Sequence, residues 1–169
     1  MDIYLTPELK AYYMDDFENN VLTCTLDSWK LDAGTEEILV AINNNPKIQT
    51  LYSRRYSNEP GRWSTRNDSY IKFAYSEDLE MKLLKEFVPT IVQAFNDSLL
   101  GDANCYHNFQ YPRDNPNVRE REDGKFKMQC MVGEDFFRVN HIEIHFHTNE
   151  FERHDNFWEY IKKELTSIG

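Results

Sequence analysis

Phe136-Phe137-Arg138-Val139-Asn140-His141-Ile142-Glu143-Ile144-His145-Phe146-His147 alternates apolar and ionisable residues from Val139 onward. Successive side chains of a strand point to opposite sides. The spacing therefore predicts a strand with Ile142, Ile144 and Phe146 buried on one face. His141, Glu143, His145 and His147 fall on the other, with Glu143 and His145 the more exposed. This is the most patterned stretch of the chain, and the remaining elements are read as packed around it.

Its packing partner is a predicted long helix over 76–100. Ser76 offers a cap, Glu77 and Asp78 suit the positive end of the dipole, and Leu79, Leu83, Phe87, Ile91, Phe95 and Leu99 form an i+4 ladder. Pro89 should kink this helix and Gly101 should end it. A last helix opens near Asn149 or Asp155 and turns Phe157, Trp158, Ile161, Leu165 and Ile168 inward. His154 is expected on the surface at its start. At the other end of the chain, Thr6-Pro7-Glu8 is a helix start with a hydroxyl cap and a first-turn proline, and a helix is expected over 7–19.

The connecting stretches read less sharply. Residues 21–26 alternate and suggest a strand, as do 70–75, where Ile71 and Phe73 share a face. Residues 35–56 are ambiguous between strands and two short helices around Asn43-Asn44-Asn45-Pro46, the outline of a helix-turn-helix. Residues 102–123 are rich in Asn, Pro, Asp and Arg and read as a long loop. A strand over 125–131 is expected to form a hairpin with the 136–147 strand. The expected fold is thus a single α+β domain over 1–169, an antiparallel sheet packed against the long helix with the N- and C-terminal helices beside it.

Composition narrows the function classes. The chain has 169 residues and a net charge of −10, which disfavours nucleic acid and anionic membrane and favours a basic protein partner. Three cysteines, Cys24, Cys105 and Cys130, form neither a CxxC pair nor an even disulfide set, so a reducing compartment is expected. No apolar run reaches the length of a membrane helix and no signal-peptide pattern opens the chain, which leads to an expected cytoplasmic location.

Two constellations can carry function. The first is aromatic and basic: Tyr52, Arg54, Arg55, Tyr56, Arg62, Trp63 and Arg66. The window 47–72 carries +4 while the remainder carries −14. Arginine interleaved with tyrosine and tryptophan suits a protein interface. It also suits phosphate forks, base stacking or pairing with the chain's own carboxylates. The second is the histidine face, in which His141, Glu143, His145 and His147 could converge on a divalent metal such as zinc, or simply be the polar side of a half-exposed strand. There is no GxSxG elbow, glycine-rich phosphate loop or HExxH motif.

The leading expectation is therefore a binding protein without a cofactor that inhibits or neutralises a basic macromolecular partner through the 52–66 residues. By composition alone, it is of the type that antitoxins, toxin-immunity proteins and phage-encoded inhibitors often show. The alternative is a metal-dependent hydrolase or nuclease using the 141–147 face.

Overall fold

The computed structural model describes residues 4–25, 31–32, 34–56, 68–95 and 139–169 in full, and residues 104–110 by their main chain. Helix α1 (Pro7–Asp16) begins as its sequence demands: Thr6 Oγ1 accepts the Leu9 N–H at 3.2 Å, and Pro7 costs no hydrogen bond in the first turn. It does not stop at the asparagine pair. Asn19 Nδ2 donates back to Asp15 Oδ1 (2.9 Å) and Asn20 Nδ2 to Asp16 Oδ1 (2.6 Å), and a π turn (Phe17–Val21) carries the chain onward. Tyr13, Phe17 and Val21 are thereby buried on one i+4 stripe. This corrects the strand expected from residue 21: the helix end takes up Val21, and residues 22–25 hold no strand.

Helix α2 (Glu36–Asn43) resolves the first ambiguous stretch. It buries Ile38, Leu39, Ile42 and Asn43 and exposes Val40, the period of a helix. Strand β1 (Ile48–Arg54) resolves the second and overturns the helix-turn-helix outline. The Ile48–Leu51–Tyr52 spacing that imitates a helix comes from a strand irregularity: the pairing register shifts between Thr50 and Tyr52. Strand β2 (Asp68–Tyr75) pairs antiparallel with β1 and buries Ile71 and Phe73 completely.

The long helix exists in four joined pieces: a 3-10 turn (Glu77–Leu79), α3 (Glu80–Lys82), a π turn (Leu83–Phe87) and α4 (Val88–Phe95). Proline lacks an N–H for the carbonyl four residues back, and its ring crowds that carbonyl. The π turn directly before Pro89 widens the helix where this conflict arises. Ser76 does not cap the run as expected; its hydroxyl donates to Asp78 Oδ1 at 2.6 Å instead.

Strand β3 (Asn104–Gln110) falls inside the stretch read as a loop, a second correction. Strand β4 (His141–His147) pairs antiparallel with β2 on one side and β3 on the other, giving the order β1-β2-β4-β3. The expected hairpin partner, 125–131, lies outside the described residues. Helix α5 (Phe151–Ser167) closes the domain. Ring contacts of Phe95 with Phe146 (5.4 Å) and Phe157 (5.6 Å), and of Phe73 with Phe87 (6.2 Å), show α4 and α5 lying on the apolar face of β2 and β4. The fold is therefore α+β, with an antiparallel sheet covered by the helical run and the terminal helices.

One sheet edge is closed by side chains. The Thr50 N–H donates to Asn43 Oδ1 (2.8 Å), and Lys10 Nζ donates to the carbonyls of Ile48 (2.6 Å) and Asn43 (2.8 Å) and to Gln49 Oε1 (2.9 Å). Groups that would invite a foreign strand are satisfied from within the molecule.

Candidate functional site

The antiparallel register sets residues of β2 opposite the ionisable face of β4: Lys72 against Glu143, Tyr70 against His145 and Asp68 against His147. Ile142, Ile144 and Phe146 are fully buried, as expected. Glu143 is not the exposed residue that the alternation predicts; it is 6% exposed, and His141 is buried beside it. A carboxylate tolerates such burial only when its charge is met. Here Lys72 Nζ lies 3.0 Å from Oε1, His145 Nε2 lies 3.2 Å from Oε2, and His141 Nε2 lies 3.7 Å from Oε1. Burial alone would push the Glu143 carboxyl up. The His141, His145 and Lys72 contacts outweigh it and hold the group well below the usual carboxylate range.

The ammonium of Lys72 also sits over two rings, 5.2 Å from the centre of Tyr52 and 5.7 Å from that of Tyr70. His145 leans on Tyr70 at 5.3 Å. This cluster is a cation held between a carboxylate and two π faces, and the imidazoles direct Nε2 at the carboxylate rather than at a common point. Among the described residues no three His, Cys, Asp or Glu side chains are grouped as metal ligands.

The aromatic–arginine segment divides. Tyr52 is buried beneath Lys72. Arg54 is half out in solvent with NH1 3.6 Å from Asp68 Oδ2. Arg55 turns inward: NH2 donates to Asp155 Oδ1 (2.9 Å), NH1 to the Gly34 carbonyl (3.0 Å), and its main-chain N–H to Asp32 Oδ2 (2.8 Å). Tyr56 donates its hydroxyl to the same Asp155 Oδ1 at 2.9 Å and stacks on Phe151 (5.2 Å) and His154 (4.8 Å). Burial first, and then the bond to Asp155 and its charge, push the Tyr56 phenol up. Arg62, Trp63 and Arg66 lie outside the described residues. Pairing with internal carboxylates thus accounts for Arg54 and Arg55.

Sequence reasoning missed the residue at the centre of this corner. His154, expected at the surface, is completely buried. Its ring nitrogens lie 2.9 Å from Ser69 Oγ and 2.9 Å from the Thr148 carbonyl, and its ring meets Phe146 edge-on at 5.1 Å. The signal was present. His154 precedes Phe157, Trp158, Ile161 and Leu165 at i+3, i+4, i+7 and i+11, so it lies on the apolar stripe of α5.

A third feature takes its shape from the structure. Glu8, Tyr12 and Asp15 fall at i, i+4 and i+7 on the outer face of α1, with Glu18 adjoining, and all four are exposed. Tyr12 is 49% exposed. Lys10, the one basic residue between Pro7 and Val21, turns its ammonium inward to the neutral oxygens at the sheet edge. The outward charge of this helix is therefore negative throughout.

Among the described residues no helix is long and apolar enough to cross a membrane. Comparison with family models, curated proteins and solved structures finds no match to this chain.

Proposed function

We propose that the protein acts by binding a basic macromolecular partner and neutralising or inhibiting it, as immunity proteins, antitoxins or phage-encoded inhibitors do, in a cytoplasmic setting. The observation that carries this reading is the outer face of α1 and the turn after it, where Glu8, Asp15 and Glu18 lie beside an exposed Tyr12 while the helix's one lysine turns inward. Tyrosine is among the residues that most often anchor an interface, and the charge beside it steers the encounter. A net charge of −10 accelerates encounter with a basic surface. The exposed Glu36 and Glu37 at the start of α2 add to the same field.

The test is capture with the intact chain as bait, followed by association kinetics of the recovered protein against the Glu8→Lys/Asp15→Lys variant. Association should slow by about tenfold or more at low salt, and wild-type association should itself slow as salt rises. Recovery of no protein, or association indifferent to both changes, overturns the reading.

The metal-dependent alternative has less support, because the Glu143 carboxylate it needs is already committed to Lys72, His141 and His145. Stoichiometric zinc in protein purified without a metal column would revive it.

A further inference from the structure

The contacts of His154 fix where its hydrogens lie. The Thr148 carbonyl can only accept, so Nε2 carries a proton, and in the neutral ring Nδ1 accepts from the Ser69 hydroxyl. Ser69 Oγ in turn accepts the Tyr56 N–H at 3.1 Å. A single chain of bonds thus runs from the Tyr56 main chain through Ser69 and His154 to Thr148. The Tyr56 ring lies over the imidazole, and its hydroxyl joins Arg55 on Asp155.

This arrangement works only for the neutral ring. A proton placed on Nδ1 turns an acceptor into a donor facing the Ser69 hydrogen. Ser69 Oγ would then have to accept from both Nδ1 and the Tyr56 N–H while its own hydrogen lost its acceptor. The new charge would sit at a residue with no exposed surface.

Among the described residues, the charged and titratable groups nearest to it are engaged with one another. Arg55 and Tyr56, just past β1, already share Asp155 of α5. Asp68, beside Ser69 on β2, faces Arg54, and His147, beside Thr148 on β4, stands across from Asp68.

We propose that His154 is an acid-sensitive joint: protonating its Nδ1 reverses the bond to Ser69 and leaves the Ser69 hydrogen without its acceptor, which loosens the Tyr56–Ser69 connection to α5 while the sheet stays packed. Tyr56 belongs to the aromatic–basic segment singled out in the sequence, so acidification would loosen one of its partly buried side chains. The inference is independent of whether α1 binds a partner.

Histidine and amide NMR of the full chain, recorded while the pH is lowered from about 7.5 through the ordinary imidazole range near 6.5 to about 5, tests it. The expected result has three parts: His154 in the Nε2–H tautomer at the start, the Tyr56 amide and ring signals moving with the same midpoint as His154, and Ile71, Phe73 and Ile144 amides unmoved. In His154→Gln, which keeps a donor for Thr148 and cannot take up the proton, Tyr56 should not move over that range. If that variant does not fold, Ser69→Ala should shift the Tyr56 midpoint to higher pH by removing the donor that protonation must displace. Tyr56 unmoved in the wild type, moving only with the whole core, moving unchanged in His154→Gln, or keeping its midpoint in Ser69→Ala would each overturn the proposal.

Discussion

Lys72 and Glu143 face each other across β2 and β4 with Nζ 3.0 Å from Oε1, and the glutamate side chain is 8% exposed while the lysine side chain is 25% exposed. The pair is asymmetric: the lysine can reach water and the glutamate cannot. Lys72→Met should therefore destabilise the fold by about 3 kcal/mol, since it leaves a buried carboxylate without its lysine partner. Lys72→Met/Glu143→Gln should recover part of that loss. Urea midpoints of the wild type and the two variants decide it, and a Lys72→Met midpoint equal to that of the wild type would mean that the ion pair contributes nothing.

The acid limb of stability should carry the mark of Glu143. Its folded-state pKa is depressed, so its contribution is present above the unfolded glutamate value of about 4.3 and is lost as the pH falls below it toward the folded value. Glu143→Gln should show a shallower fall in stability between about pH 4.3 and 3 than the wild type, measured by denaturant unfolding at each pH. Parallel curves would contradict the assignment.

Lys10 predicts a slope of the opposite origin. Burial lowers its pKa to about 8 from 10.5, so between those values the unfolded chain binds the proton and the folded one does not. Stability from this group therefore rises as pH climbs from about 8 toward 10. The difference between wild type and Lys10→Met, followed by urea unfolding across that range, should show the rise in the wild type alone.

Gly34 has φ +79°, and a Cβ built there would meet Arg55 NH1 at 3.0 Å. Gly34→Ala should cost about 1–2 kcal/mol from the left-handed conformation, with some weakening of the Arg55 contact added. A melting temperature unchanged from wild type would show that the turn relaxes freely.

The legible parts of this fold were those in which a single period dominates. Ile142, Ile144 and Phe146, the i+4 ladder from Leu79 to Phe95 and the stripe from Phe157 to Leu165 all read correctly, because one apolar face decides each element. Residues 48–54 did not, because a register shift disguises a strand as a helix. Nor did Glu143 and His154, whose polarity suggests exposure until their partners are known. Those partners lie on other elements: Lys72 across the sheet, and Ser69 85 positions away from His154 in sequence. Alternation says which face a residue occupies but not what neutralises it there. The acidic face of α1 is only half legible, since nothing in the sequence shows that Lys10 turns inward.

The strand order also bears on how the chain can be made. β4 is the last strand synthesised, yet it lies between β2 and β3 and is hydrogen-bonded to both along its whole length. A nascent chain that has emerged only as far as β3 holds β1 and β2 with nothing to join them to β3. Until residues 141–147 are available, β2 and β3 each lack the partner that β4 gives them in the described sheet. Synthesis that stalls in the 111–140 interval should accordingly be the point at which this protein most needs a chaperone.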